Sequence, residues 1–329
     1  MEGAGALTAL GIGSAAGAQE PKGGNAGANE QARIDAQTWP GETWNAPLKG
    51  KVAVITGAAR GIGRSIAVAM AANGADIVAI DINTAVSPIV QYIAATPADL
   101  EETGKLVRQH GRKFLGITAD IRDINSLRAA AEKAVQQMGQ INIVVANAAI
   151  QAFTPLVEME DHDWHDVIDN NLNGSANTLR AFAPVLIKQG KGGRIIFMSS
   201  MQGRYGTKNG AAYSASKWGI VGLMKSAALE LGKYKITVNT IEPGLIDTAM
   251  TRNDKRWSQT VGETMTTPPP EHPSEQETAN ARLPKTPLGV PWLTPEQVAP
   301  VAVFLASDAA AMVTGATYDV NGGDSAHTT

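Results

Sequence analysis

The stretch KVAVITGAARGIGRSIAVAMAANG, residues 51–74, decides the fold. It opens with a short β-branched run typical of a buried strand, and it closes with a helical apolar spacing that ends at Gly74. Gly57, Gly61 and Gly63 therefore lie in the turn between a strand and a helix. Such a turn lets the backbone approach a pyrophosphate, which the free N–H groups of the helix N-terminus attract.

A second strand, DIVAID, follows this helix and ends in an acid, Asp81. A carboxylate at this place accepts hydrogen bonds from the adenosine ribose hydroxyls of a dinucleotide and repels a 2′-phosphate. The sequence therefore predicts NAD as the cofactor in preference to NADP. Arg60, inside the glycine turn, is the one residue that argues for NADP, and its alternative role is a surface charge.

Five more strand-like runs follow, mostly separated by helical segments: KFLGITADIRD, INIVVANAAI, GRIIFMSS, KITVNTIEPG and TYDVNGG. This alternation predicts an α/β fold, a single Rossmann-type doubly wound domain whose seven-stranded, mostly parallel sheet has helices on both faces. The carboxyl ends of such strands share one edge, where these sheets bind ligands.

Composition excludes several classes of function. The chain has 329 residues, a net charge of −3 and no cysteine. The charge gives no electrostatic reason to expect nucleic acid or an anionic membrane as a partner. The lack of cysteine excludes disulfides, thiolate zinc sites and cysteine nucleophiles.

The first 47 residues differ in amino-acid composition from the predicted domain, residues 48–329. Residues 1–29 contain eight glycines and eight alanines, which predicts either a disordered tail or the remnant of an export signal. We expect a cytoplasmic protein, or a periplasmic one if a fuller signal exists. Trp39 and Trp44 belong to a polar arm expected to dock on the domain or on a neighbouring subunit.

A metal site is conceivable only at DHDWHD, residues 161–166. His162 and His165 lie three residues apart with carboxylates on both sides. The favoured interpretation is a solvated, Asp-rich first turn of a helix, because the sequence places no third ligand. We therefore expect no metal.

Several motifs occur in the order known from one protein family: TGAARGIG (56–63), ADI (119–121), ANAA (146–149), NNLNG (170–174), the set Ser200, Tyr213 and Lys217, and PGLIDT (243–248). In these motifs the chain resembles the short-chain dehydrogenase/reductase family from about residue 48 to 323. The ANAA motif lacks one glycine of the usual N-N-A-G, a departure that concerns local loop geometry.

The resemblance implies a catalytic set. Tyr213 and Lys217 occupy successive turns on one face of a helix. The lysine and an oxidised nicotinamide are expected to lower the pKa of the phenol below its usual value of about 10. Tyr213 then exchanges a proton with an alcohol or ketone, while Ser200 holds the reacting oxygen. Asn171 is expected to anchor a water in the proton relay.

The resemblance also implies cofactor contacts at the strand ends, at the pyrophosphate, adenosine and nicotinamide. They are Gly57, Arg60, Gly61, Ile62, Gly63, Asp81, Ile82, Asp120, Ile121, Asn147, Ala148, Ala149, Tyr213, Lys217, Pro243, Gly244, Ile246 and Thr248. Four residues after strand ends are expected to face the substrate: Gln151, Phe153, Gln202 and Tyr205.

Two long segments bear on the substrate. Residues 82–98 form an insertion similar to that of the carveol-dehydrogenase-like, mycofactocin-coupled branch. There it covers NAD, and a redox partner re-oxidises the bound NADH; the alternative is a plain surface loop. Residues 249–290 are typical of a lid. Trp257, Met265 and Trp292 are expected to give this lid an apolar inner face.

The favoured function is hydride transfer between a nicotinamide cofactor and a secondary alcohol or ketone, small to medium, cyclic or terpenoid. One alternative is a sugar dehydrogenase of the glucose 1-dehydrogenase type, which the polar lid permits. An alternative of another class is a nucleotide-binding sensor without catalysis, which the intact catalytic set disfavours. By analogy with the family, we expect a homotetramer.

Overall fold

The computed structural model describes residues 47–263, 265 and 268–327. The predictions for the glycine- and alanine-rich segment, the export signal and the docking of Trp39 and Trp44 lie outside these residues.

One sheet organises the domain. Its seven strands are β1 (Val52–Thr56), β2 (Asp76–Asp81), β3 (Phe114–Thr118), β4 (Ile143–Ala146), β5 (Gly193–Met198), β6 (Ile236–Pro243) and β7 (Thr317–Val320). Their order is β3-β2-β1-β4-β5-β6-β7, and every neighbouring pair is parallel. The predicted Rossmann-type fold is confirmed, and the sheet is parallel throughout.

Continuous apolar runs explain the central strands. All five residues of β1 and all eight of β6 are buried, as expected for strands covered on both faces. The strand order reverses between β1 and β4, so the chain leaves these two strands in opposite directions. Such a switch point opens a crevice at the carboxyl ends of the strands.

Nine α-helices are present in the described part of the chain. They are α1 (Gly61–Ala72), α2 (Pro97–Gln109), α3 (Ile124–Met138), α4 (Asp161–Ile168), α5 (Gly174–Gln189), α6 (Ala211–Leu231), α7 (Asp254–Gly262), α8 (Glu275–Arg282) and α9 (Pro295–Ala306). Six of these helices divide between two buried clusters. The first cluster includes residues of α1, α2 and α9, and the second includes residues of α3, α5 and α6. Helices thus cover both faces of the sheet. No helix in this part of the chain has the length and apolarity to cross a bilayer.

Local capping sets where helices begin within the two long segments. Thr96, near the end of the insertion, caps α2, its side chain accepting a hydrogen bond from the N–H of Asp99. In the lid, Asn253 caps α7 and Ser274 caps α8 in the same way. The lid is therefore built around two short helices. A π-helical turn, Asp169–Asn173, joins α4 to α5.

Candidate active site

The glycine turn between β1 and α1 has a geometry that only glycine fits. Gly57 and Gly61 have φ of 66° and 56°, a region that other residues rarely adopt. A Cβ on Gly57 would lie 2.8 Å from Cα of Ala148, and one on Gly63 would lie 2.1 Å from the carbonyl oxygen of Gly57. The turn therefore packs tightly against the end of β4 and leaves the N-terminus of α1 facing the crevice.

The side chain of Asn147 fastens this turn. Its Nδ2 donates hydrogen bonds to the carbonyl oxygens of Thr56 (2.9 Å) and Gly57 (3.2 Å). In return, Oγ1 of Thr56 accepts from the backbone N–H groups of Asn147 (3.0 Å) and Ala148 (3.1 Å). The amide of Asn147 is thus occupied in holding β1 to β4. Sequence reasoning named this residue for a ribose contact and missed its positioning role.

Asp81 lies at the end of β2, beside the glycine turn. Its carboxylate accepts hydrogen bonds from the backbone N–H groups of Ala59 (3.1 Å) and Asn83 (3.1 Å). Each carboxylate oxygen keeps a second lone pair for a further donor. The geometry can therefore hold a pair of vicinal hydroxyl groups.

The side chain of Arg60 contacts the insertion. Its guanidinium donates a hydrogen bond to the carbonyl oxygen of Ile93 and lies 5.8 Å from the ring centroid of Tyr92. Both partners belong to the insertion. Arg60 therefore joins the glycine turn to the insertion and is not a plain surface charge.

The insertion is a wall of the crevice, so the surface-loop alternative is wrong. Arg122 donates to the carbonyl oxygen of Val86 at 3.2 Å and also pairs with Asp120. The hydroxyl of Ser87 donates to Asp166 on α4. Nine insertion residues line the crevice: Ile82, Thr84, Ala85, Val86, Ser87, Val90, Tyr92, Ala94 and Ala95.

A cavity of about 260 Å³ follows the carboxyl edge of the sheet. Every residue predicted to contact the cofactor lines it, from Gly57 in the glycine turn to Thr248 after β6. Ser200, Gln151 and Gln202 line it too. The structure thus brings the sequence-predicted residues into one crevice, and their contacts with a cofactor stay a prediction.

Three side chains predicted to be catalytic converge on this cavity. Tyr213 and Lys217 project from α6, and Ser200 follows β5. Nζ of Lys217 lies 5.4 Å from the ring centroid of Tyr213 and donates to the carbonyl oxygen of Met198 at 2.9 Å. Ser200 lowers the pKa of Tyr213, and its Oγ accepts from the N–H of Gln202 at 3.2 Å.

Burial shifts the pKa values of Tyr213 and Lys217 toward their uncharged forms. It raises the pKa of Tyr213 to about 12, although Ser200 and Arg256 act in the opposite direction. Burial also lowers the pKa of Lys217 to about 7, because desolvation disfavours the charged form of each group. The expected lowering of the phenol pKa requires an oxidised nicotinamide as well as Lys217, and it stays a prediction.

Asn171 does not line the cavity. It is fully buried, with Oδ1 accepting from the N–H of Ile150 at 2.8 Å and Nδ2 donating to the carbonyl oxygen of Ile150 at 2.9 Å. Nδ2 also donates to Oγ of Ser216 at 3.2 Å. The side chain is thus a positioning group that fixes the segment after β4. Its relay water stays a prediction.

Two of the four residues expected to face the substrate line the cavity. Gln151 and Gln202 line the cavity, whereas Phe153 and Tyr205 do not. Phe153 is buried, and its ring packs 5.1 Å from the guanidinium carbon of Arg256. It supports a cavity residue without touching the cavity itself.

The expected apolar inner face of the lid is also wrong. Trp257 and Trp292 pack on each other with ring centroids 6.4 Å apart, and Met265 is 41% exposed. Neighbouring residues of a helix point about 100° apart, so Arg256 faces the cavity and Trp257 does not. The lid contributes Ala249, Met250, Thr251, Arg256 and Arg282 to the cavity.

Arg256 and Arg282 are the functional candidates that sequence reasoning missed. They stand in polar surroundings, DKRWSQ and NARLPK, where an arginine is typical of an exposed helix face. In the structure they are 7% and 1% exposed. No sequence signal marks them, because their burial depends on how the lid folds over the sheet.

His162 contacts only its neighbours, with Glu160 at 3.2 Å and Asp163 at 3.5 Å. Among the described residues, no three His, Cys, Asp or Glu side chains come together as metal ligands.

Comparisons with known proteins agree with this geometry. The short chain dehydrogenase family profile matches residues 51–259. A (-)-trans-carveol dehydrogenase from Rhodococcus erythropolis is 37% identical over 280 residues, covering 84% of this chain and 98% of the relative. An uncharacterized NAD-dependent oxidoreductase of Mycobacterium tuberculosis is 40% identical over 279 residues, covering 84% and 96%.

Among solved structures, carveol dehydrogenase from Mycobacterium avium in complex with NAD superposes with a TM-score of 0.80. It is 37% identical, and the match covers 85% of this chain and 99% of that one. A short chain dehydrogenase from Mycobacterium paratuberculosis bound to NAD gives a TM-score of 0.77 at 38% identity, with coverage of 85% and 99%. The chain therefore belongs to the short-chain dehydrogenase family of oxidoreductases, with carveol dehydrogenases among its relatives.

Proposed function

We propose that the protein is an NAD-dependent dehydrogenase that interconverts a secondary alcohol and its ketone. One observation carries the proposal: Ser200, Tyr213 and Lys217 meet in the same cavity as the glycine turn and Asp81. A proton-transferring group and a dinucleotide cradle in one crevice are what hydride transfer from an alcohol requires.

The residues present fit the cofactor. The absence of a Cβ at Gly57 and Gly63 lets the turn pack tightly on the end of β4. The N-terminus of α1 then faces the cavity, as binding of a pyrophosphate needs. Asp81 has acceptor capacity left for ribose hydroxyls. When bound, NAD supplies the nicotinamide that accepts or returns the hydride.

Tyr213 moves the proton in this mechanism. Its phenol oxygen takes the hydroxyl proton of the alcohol, or returns it to a ketone in the reverse direction. Ser200, which lines the same cavity as Tyr213, donates to the reacting oxygen and orients it. Lys217, when protonated, favours the phenolate, since an opposite charge nearby stabilises the ionised form.

NAD is favoured over NADP by the surroundings of Asp81. A carboxylate at this place repels a 2′-phosphate. Arg60, the one cation that argued for NADP, has its guanidinium engaged with Ile93 and Tyr92 of the insertion. The relatives named above include NAD-dependent and NAD-bound proteins, which supports the same choice.

The substrate is proposed to be small to medium, cyclic or terpenoid, in line with the carveol dehydrogenases among the relatives. The insertion supports a bound NAD that exchanges slowly, with a redox partner that re-oxidises NADH in place. The sugar dehydrogenase remains the second candidate, since Gln151 and Gln202 give the cavity polar groups. A panel of terpenols and sugars separates the two.

The first experiment is to denature the purified protein and identify any released nucleotide by mass spectrometry. Stoichiometric NAD(H) supports slow exchange, and an empty protein refutes it. We then expect Tyr213→Phe to lower turnover by about a hundredfold to ten-thousandfold, the usual contribution of general acid–base catalysis. Unchanged turnover in Tyr213→Phe would refute this catalytic role of Tyr213. No turnover by the wild type would leave the nucleotide-binding sensor as the better interpretation.

We also propose a homotetramer. Trp218 and Leu229 on α6 are 52% and 87% exposed, and β7 is an edge strand of the sheet. Exposed apolar side chains beside an open edge are typical of subunit contacts. Light scattering is expected to give about four times the chain mass of 34.3 kDa. A monomer at micromolar concentration would refute the proposal.

A further inference from the structure

The lid places an under-neutralised guanidinium in the wall of the cavity. Arg256 is 7% exposed and lines the cavity that Ser200 and Tyr213 also line. Its Nε has no hydrogen-bond partner among the residues that the structure describes. Burying a charge is costly unless the charge is paired and hydrogen-bonded. The buried charge of Arg256 therefore gains from an anionic ligand in the cavity.

The ion pairs around Arg256 leave one positive charge without a carboxylate to neutralise it. Arg282 is paired with Asp324 at 2.7 Å. Lys285 is paired with Glu263 at 2.7 Å, and Arg256 reaches the same Glu263 only at 3.8 Å. Three cations thus share two carboxylates, an excess of one positive charge.

Arg256 is also held in a fixed position. Its Nη1 donates to Oγ1 of Thr260 at 2.8 Å, and its guanidinium lies on the ring of Phe153 at 5.1 Å. A guanidinium fixed in this way is preorganised to accept an oxyanion on its remaining N–H groups. Its influence extends to the catalytic tyrosine, since the charge of Arg256 lowers the pKa of Tyr213.

We infer that the substrate carries a carboxylate that pairs with Arg256 while its carbinol or carbonyl carbon is held at Ser200 and Tyr213. The inference rests on the proposed function and narrows its substrate class to hydroxy acids or keto acids. A single carboxylate matches the excess of one charge, whereas a phosphate dianion exceeds it.

Binding tests this inference without requiring turnover. Cyclohexanecarboxylate and the neutral, similarly shaped cyclohexanecarboxamide are titrated by calorimetry into the enzyme saturated with NAD. At pH 7 the acid is ionised. Because hydrogen bonds to charged groups are stronger than neutral ones, the acid is expected to bind about tenfold to a hundredfold more tightly than the amide.

Two variants locate the effect. Arg256→Gln is expected to abolish the preference for the acid, and Arg256→Lys to keep part of it. Lys255→Gln is the matched control, because this substitution also removes one positive charge from α7, but at an exposed position. It is expected to keep the whole preference.

Equal binding of acid and amide by the wild type, including no binding of either, overturns the inference without any variant. A preference that survives Arg256→Gln in a folded protein overturns it as well. Neither result touches the proposed function, which depends on the turnover of wild type and Tyr213→Phe.

Discussion

Replacing Arg60 by Met tests whether the insertion holds the cofactor in place. Arg60 joins the glycine turn to the insertion through a hydrogen bond to Ile93 and a contact with the ring of Tyr92. The hydrogen bond contributes about 0.5–1.5 kcal/mol and the cation–π contact about 0.5–1 kcal/mol. Loss of both contacts removes about 1–2.5 kcal/mol of stabilisation of the closed insertion. The population in which the insertion is open is therefore expected to rise roughly 5- to 70-fold.

If the bound nucleotide leaves only through the open insertion, its exchange rate rises by the same factor. The assay loads the enzyme with NAD, adds excess isotopically labelled NAD and follows the retained original by mass spectrometry. Arg128→Met is the matched control, because Arg128 is exposed on α3 and does not line the cavity.

Exchange by Arg60→Met at the rate of the wild type would refute this reasoning. The insertion would then be held by other contacts. The packing of Val86 and Val90 against the buried cluster of Ile150, Val167 and Tyr213 is the nearest candidate.

Two further predictions concern pH. Burial raises the pKa of Tyr213 to about 12, so alcohol oxidation is expected to become faster as the pH rises from 6 to 10. Bound oxidised cofactor is expected to bring the pKa seen in the kcat/KM profile below 12. A kcat/KM that does not change with pH in that range contradicts this prediction. Burial also raises the pKa of Glu242 to about 7 despite its contact with Arg204. Folded Glu242 therefore keeps a proton that the unfolded chain has lost, and stability falls from pH 4.5 to 7, by an amount on the order of 3 kcal/mol. Thermal unfolding should show this slope in the wild type and not in Glu242→Gln; equal slopes would mean that the carboxylate stays ionised.

The cofactor side of the crevice was predictable because its residues are tied to local structure. Gly57, Gly61 and Gly63 stand between a β-branched strand and an amphipathic helix, so their turn follows from neighbours in sequence. Asp81 and Pro243 end apolar strands, and the ends of parallel strands meet at one edge of a sheet. Tyr213 and Lys217 share one helical face at a spacing of four. Short-range periodicity is enough for each of these placements.

The substrate side was not predictable in the same way. Trp257 and Arg256 are adjacent in sequence, and only the packing of α7 on the domain decides which of them faces the cavity. Asn147 and Asn171 look like ligand-binding amides in the sequence, but in the structure their side chains hold the backbone at Gly57 and Ile150. Hydrogen bonds between segments far apart in the chain produce no periodic pattern in the sequence from which they could be predicted.

The sequence by itself therefore determined the parallel sheet and its glycine turn, because both depend on strand and helix patterns a few residues long. Ser200, Tyr213 and Lys217 followed from the order of the motifs and the family resemblance that it carries. Only the tertiary structure decided that the insertion lines the cavity, that Tyr213 and Lys217 are buried deeply enough to shift their pKa values, and that Arg256 lines the same cavity. These properties depend on desolvation and on contacts between segments far apart in the chain, and neither is written in the local order of residues.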